Sequence, residues 1–333
     1  MKAAYMACGG WVASAVGAAA RFRLADLVEA GPMTAAELAL AAGVSQPVLE
    51  RLLALLVAVG LFAEADGRYS TTDDGALLRE DHPDTVRNFV MLASGDYQRI
   101  FQEAAHTVET GESAAVRALG QTLYAHLDQH PVQAEIYDRA MEDLTRPASR
   151  VLSKSRDFST MRTVVDLGGG RGALLRGLLR AEPHLQGIVL DRPDVAERAR
   201  AALPDLAPDL VGRLEFVGGS FFDGVPPGGD LYIIKNVIHS WSDARAVDIL
   251  RAAGAAIAGR PAARVLVIEP LVGGRMPPMY RALDELMQMV VSETGTTART
   301  EDEFRALASG AGLTVTRVDQ LQSGHVGIEM GQG

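Results

Sequence analysis

The chain has 333 residues, 48% of them apolar and 22% charged, with 32 Lys and Arg against 42 Asp and Glu, a formal net charge of −10. This length favours two domains, or one large domain with an appendage, and the composition is that of a soluble globular protein with a substantial core. The acidic balance argues against nucleic acid or an anionic membrane as the main partner. No apolar run reaches the roughly 18–20 residues of a membrane span, and the single cysteine, Cys8, excludes an internal disulfide and fits a reducing cytoplasm.

In chain order, the start through Phe22 reads as helix rather than a secretion signal, because Arg21 and Arg23 follow and the pattern continues into "LADLVEA". "TAAELALAAGVSQPVLERLLALLVAVGLF" predicts two helices. Thr34 and Glu37 form a capping-box pattern on the first, and Ser45 with Pro47 opens the second. Asp66-Gly67 in the next segment marks a hairpin. Helix-turn-helix plus hairpin is a winged-helix arrangement, so DNA binding has to be weighed. The would-be recognition helix, 45–59, carries Arg51 against Glu50 and is otherwise almost all Leu, Val and Ala. It cannot neutralise phosphates and is expected to be buried against another subunit. Residues 85–160 continue as amphipathic helices without a catalytic signature.

From 163 the texture changes to strand–helix alternation, the mark of a parallel α/β sheet. The last two strands, "LTVTRVDQ" and "HVGIEM", are joined by "LQSG" as a hairpin, which departs from a dinucleotide fold. The first strand runs into "DLGGGRGALL", where Gly168, Gly170 and Gly172 allow a sharp turn and close ligand approach. The spacing is G-x-G-x-G, and Asp166 just ahead suits a ligand of cationic character better than a pyrophosphate. Asp191 ends the second strand, where a carboxylate accepts both hydroxyls of a ribose. "GGSFFD" follows the third, offering Ser220 and Phe221 to an adenine. The fourth, "LYIIKNVI", delivers His239 to the same sheet edge, and Glu269 ends the fifth. An imidazole there can take a proton from a hydroxyl, and a carboxylate on its far nitrogen fixes the tautomer.

"VVDLGGGRG", "LDRPDV", "FVGGSFFDGVPPGGDLYIIKNVIHSWSDARAVDIL", "VLVIEP" and "ARTEDEFRALASGAGL" occur in this order. With them the chain resembles, over nearly its whole length, S-adenosylmethionine-dependent O-methyltransferases of the plant caffeic-acid type and their bacterial natural-product relatives. The resemblance implies an α/β Rossmann-like class I methyltransferase domain, seven-stranded and mostly parallel with a terminal antiparallel hairpin. It also implies an N-terminal all-α, winged-helix-like dimerisation domain, with boundaries at 1–90 (dimerisation), 91–160 (connector and substrate wall) and 161–333 (catalysis). S-adenosyl-L-methionine is the implied cofactor, a homodimer the implied assembly, and His239 the implied general base, without a metal. Gly168 and Gly170 then meet the cofactor, Asp191 its ribose, Ser220 and Phe221 its adenine pocket, and Lys235 lies near the adenine. Met287, in "ALDELMQMV", resembles a methionine lining the acceptor pocket. The 89–141 stretch up to Met141, and the Trp11 region of a partner, complete that pocket.

Three departures stand out. Ser220 and Ser240 each replace an Asp of plant members, and Ala298 stands where they carry a second acid beside the histidine. Glu269 is then expected to be the one carboxylate at the base, lowering its basicity and favouring an acidic phenol. The leading expectation is an O-methyltransferase acting on a small aromatic or polyketide-type metabolite. Alternatives are a relative turned to cofactor-assisted hydroxylation or decarboxylation of a polyketide, an NAD(P)-dependent oxidoreductase, and a winged-helix regulator.

Overall fold

Local signals in the front segment fold as their chemistry dictates. The computed structural model describes residues 2–272, 277–292, 298–321 and 324–333. Strand β1 (Met33–Thr34) leads into helix α1 (Ala35–Ala42) through the predicted capping box: Thr34 Oγ1 accepts from the Glu37 N–H and Glu37 accepts from the Thr34 N–H. Helix α2 (Gln46–Ala58) starts at Ser45 with Pro47 in its first turn, but the Ser45 side chain makes no capping bond. A cap side chain draws on the second or third N–H of the helix, and Pro47 has none. Leu49, Leu53 and Leu56 are buried on one face of α2, while Val48 on the other is 67% exposed. Strands β2 (Phe62–Ala65) and β3 (Arg68–Thr71) pair antiparallel around Asp66 and Gly67, both at positive φ, 52° and 73°, and β1 joins β3.

The chain divides into two compact units, 1–102 with 129–144, and 103–128 with 145–333. The expected 91–160 connector is therefore not a body of its own. Its segment 129–144, the first part of helix α3 (Pro131–Ser155), belongs to the front unit, where the buried Asp143 carboxylate accepts from the Asn88 backbone and side chain. Its segment 103–128 belongs to the second unit, where the Ala114 N–H donates to the Val290 carbonyl and Asp128 pairs with Arg192.

The second unit is built on seven strands: β4 (Thr163–Leu167), β5 (Gln186–Asp191), β6 (Leu214–Gly218), β7 (Leu231–Lys235), β8 (Arg264–Glu269), β9 (Leu313–Gln320) and β10 (Val326–Gln332). Their order is β6-β5-β4-β7-β8-β10-β9, parallel except for β10, which runs against both neighbours. The terminal hairpin is thus as expected, though Gln322 and Ser323 of its connection lie outside the described residues. Apolar layers cover both faces, and the two-residue period of a strand sorts side chains between them. Tyr232 and Ile234 enter one core with Val265 and Val267; Leu231 and Ile233 enter the other with Leu266 and Ile268. The order in which successive strands are added reverses between the parallel neighbours β4 and β7, which puts the reactive crevice of an open α/β sheet at their carboxyl ends. Helices α4 (Ala173–Ala181), α5 (Pro193–Leu206), α6 (Asp243–Ala256), α7 (Pro278–Val291) and α8 (Glu301–Gly310) complete the elements that frame it.

Candidate active site

Strand β4 ends in a glycine loop whose backbone only glycine adopts freely: φ is 78° at Gly168, 56° at Gly170 and 74° at Gly172. A Cβ on Gly168 would lie 2.7 Å from Cγ2 of Val237, so the loop packs closely on the turn after β7. A Cβ on Gly170 would meet nothing within 4 Å, so on that side the loop faces open space. The Gly170 N–H donates to Asp191 Oδ2 at 2.7 Å, and the Arg192 N–H to Oδ1 at 2.7 Å. Both carboxylate oxygens of Asp191 thus accept from backbone N–H groups, and the loop orients the acid at the end of β5. Beneath the loop, Asp166 is buried, and burial pushes its carboxyl up to about 7 despite the nearby Lys235 ammonium.

The base turn is fixed from several sides. Strand β7 stops at Lys235, short of the expected strand "LYIIKNVI", because Asn236 turns into the left-handed region at φ 54°, its side-chain oxygen 3.0 Å from His325 Nε2. A single helical turn, Ile238–Ser240, then carries His239. Glu269 is wholly buried at the end of β8. Its Oε1 accepts from the Val237 and Ile238 N–H groups at 2.9 and 2.8 Å, and its Oε2 lies 2.6 Å from His239 Nδ1. Burial opposes ionisation of Glu269, but the charge of His239 and these hydrogen bonds hold its carboxyl below the ordinary value. An ionised carboxylate only accepts, so Nδ1 carries the hydrogen and Nε2 presents its lone pair. Burial also disfavours the imidazolium, yet Glu269 outweighs it and Asp284 adds to the effect, leaving His239 above the ordinary histidine value.

Three neighbours of the base were not found from sequence. Arg299, 2% exposed, donates to the Ile238 carbonyl at 3.0 Å, the Trp241 carbonyl at 2.7 Å and the Asp243 carboxylate at 2.9 Å, clamping the turn. In "ARTEDEF" it reads as an ordinary arginine before a helix cap, so the sequence carried no signal for it. From α7, Gln288 places its amide nitrogen 3.2 Å from His239 Nε2, and Asp284 precedes it by one helical turn. Their signal was partial: they are a polar pair four apart on the helix, but so are Arg281 and Glu285, which pair with each other. The expectation that Glu269 is the one carboxylate acting on the base gives way here. Asp284 acts on it too, and the ring is more basic than usual rather than less.

The other predicted residues fall as follows. Lys235 is buried, its ammonium 3.4 Å from Thr145 Oγ1 and under the influence of Glu269 and Asp166; burial lowers it to about 8. It therefore lies within electrostatic reach of both Asp166, under the glycine loop, and Glu269, behind the base. Ser220 Oγ accepts from the Phe222 N–H at 3.2 Å, holding its own turn. Phe221 packs edge-on to Phe222 and Trp241, with ring centroids 4.8 and 6.0 Å away, which ties the segment after β6 to the base turn. Met287 is half-buried on α7, but the polar contact to the base comes from Gln288, one residue on. Met141 is half-buried on α3 within the front unit. Among the described residues, no group of three or more His, Cys, Asp or Glu is arranged to hold a metal ion.

Comparison with known proteins agrees with this geometry. The O-methyltransferase domain family matches residues 101–314, and the O-methyltransferase dimerisation domain family matches residues 5–81, in place of any DNA-binding module. The chain is 33% identical to a phenazine O-methyltransferase of Lysobacter antibioticus, over 96% of this chain and 92% of that protein. It is 37% identical to a 2,7-dihydroxy-5-methyl-1-naphthoate 7-O-methyltransferase of Streptomyces carzinostaticus, over 90% and 89%. An O-methyltransferase from neocarzinostatin biosynthesis, solved with S-adenosylmethionine and 2-hydroxy-5-methyl naphthoic acid, superposes with a TM-score of 0.78. It shares 35% identity, and the match covers 96% of each chain. These likenesses favour methyl transfer over the hydroxylation, decarboxylation and hydride-transfer alternatives. The chain belongs to the S-adenosylmethionine-dependent O-methyltransferases.

Proposed function

We propose that His239 is the general base for methylation of a hydroxyl on a fused aromatic or polyketide-type metabolite, in a homodimer joined through the front unit. The observation that carries this reading is the 2.6 Å contact between His239 Nδ1 and a wholly buried Glu269, which leaves Nε2 as the proton acceptor. The residues present fit the cofactor: an N–H-rich loop open at Gly170, the loop-oriented Asp191 for a ribose, and Ser220 and Phe221 for an adenine. When bound, S-adenosylmethionine supplies an electrophilic methyl group on a sulfonium. Nε2 removes the acceptor's hydroxyl proton as the oxygen attacks, and Glu269 stabilises the imidazolium that forms. Gln288 orients Nε2 before the acceptor arrives, and Arg299 keeps the turn from drifting. The curated relatives named above act on a phenazine and a naphthoate, and an acceptor of similar fused-ring character fits this chain.

The test is incubation with S-adenosylmethionine and a panel of hydroxylated naphthalenes, phenazines and polyketides, read by mass. Gain of one methylene on a hydroxyl, with stoichiometric S-adenosylhomocysteine, is the expected result. Cofactor binding without methylation of any panel member counts against it.

A further inference from the structure

Helix α7 has two unlike faces. Met279, Leu283, Leu286 and Met289 are exposed on it, while Asp284, Gln288 and Ser292 recur at four-residue intervals along another side. Gln288 is buried and its amide is fixed at both ends: the Ser292 hydroxyl donates to its carbonyl oxygen at 3.0 Å, and its nitrogen lies 3.2 Å from His239 Nε2. Nε2 is the atom that takes the acceptor's proton, so the reacting oxygen has to arrive where this amide now points. Whatever group the acceptor carries beside that oxygen is then presented to the same face of α7, one turn from Gln288, at Asp284. That carboxylate is partly buried, and among the described residues no hydrogen bond or ion pair reaches it. Burial, with Glu269 and Glu285, raises its carboxyl above the ordinary value, and the charge of His239 opposes them in favour of the ionised form. A half-buried acid to which no described residue donates, one turn along the helix that carries Gln288 to the base, is placed to accept from a ligand.

We propose that Asp284 determines acceptor specificity: with the reacting hydroxyl at His239 Nε2, its carboxylate receives a hydroxyl or amino group on the neighbouring ring carbon and repels a carboxylate placed there. The proposal rests on His239 being the base. It deepens that reading by naming the acceptor as a catechol-like or ortho-aminophenol-like ring.

The experiment is titration of the complex with S-adenosylhomocysteine by four 2-naphthols that differ at carbon 3: hydroxy, amino, methyl and carboxylate. Wild-type protein should bind the hydroxy and amino compounds about tenfold or more tighter than the methyl one, the scale of one hydrogen bond to a charged group. The carboxylate should bind weakest. Asp284→Asn and Asp284→Leu should keep S-adenosylhomocysteine affinity, which certifies the fold. The carboxylate compound should gain about tenfold in both, and the Leu variant should lose the preference for the donors. The same order of affinities in wild type and both variants, or no binding of any naphthol to wild type, overturns the proposal. Methyl transfer to the bound naphthols is scored separately, so failure of the reaction is distinguishable from failure of the recognition.

Discussion

At the scale of single residues, Asp191 and Glu269 stood out in the sequence because each ends a strand at one sheet edge, and His239 because it follows the fourth strand at that edge. Arg299 did not, since its three contacts lie 56 to 61 residues away and depend on a loop returning to the base turn. Asp191 ends β5 with its carboxylate accepting from the Gly170 and Arg192 N–H groups, which fixes it beside the glycine loop. Asp191→Ala should weaken S-adenosylmethionine binding by about 1–3 kcal/mol, the worth of charge-assisted hydrogen bonds. Calorimetry showing unchanged affinity would place the ribose elsewhere. The pH dependence follows from the direction of the His239 shift. A base works only when unprotonated, and Glu269 and Asp284 raise this ring above the ordinary histidine value of 6.5. kcat/KM on a neutral hydroxyl should therefore fall as pH drops through a value above 6.5. In Glu269→Gln that limb should move to lower pH while the plateau falls, because the ring loses its counter-charge and one amide oxygen must replace the two that serve Nδ1 and the backbone N–H groups. An acid limb that stays in place in this variant contradicts the pairing.

At the scale of elements, the inner strands were readable as apolar runs, and the edge strands β6 and β9 by the alternation of apolar and polar residues. The exact end of β7 was not, because Val237 and Ile238 resume the apolar character after Lys235 while Asn236 turns the backbone into the left-handed region. The helices of 85–160 gave no boundary either. Their amphipathic spacing is uniform, whereas which unit each joins depends on distant partners such as Asn88 and Val290. The turn between β7 and α6 is held by Glu269 on its N–H groups and Arg299 on its carbonyls. Arg299→Met would leave two carbonyls and Asp243 without that donor, at a cost of about 1–3 kcal/mol in stability. It should also lower kcat about tenfold or more with S-adenosylmethionine affinity retained, and Arg299→Lys should recover part of the loss. Loss of stability with kcat intact in the folded fraction would show that the clamp serves the fold alone.

At the scale of the whole molecule, the front unit leaves Tyr5, Met6, Trp11, Leu40 and Val48 well exposed, an unusual share of large apolar surface for one small body. Those side chains, together with the match of residues 5–81 to a dimerisation domain, support the proposed homodimer. Deleting residues 1–30 removes the helix Gly9–Arg21 and its exposed Trp11, and should abolish both assembly and turnover. Sedimentation of the intact protein as a stable monomer at micromolar concentration would refute the dimer. The net charge of −10 is consistent with an acceptor that reaches the crevice by shape and hydrogen bonding rather than as a polyanion.

Proton transfer to Nε2 of His239 is the central claim, and single-turnover kinetics of His239→Ala on a neutral phenolic acceptor test it most directly. Cofactor affinity should be nearly intact, and the rate should fall about 10²–10⁴-fold, the usual contribution of a positioned acid–base group. The deficit should shrink as pH rises toward the acceptor's own ionisation, since a preformed phenolate needs no base. A near-normal rate in His239→Ala, or a deficit that does not change with acceptor acidity, would contradict the claim and leave proximity alone to drive the transfer.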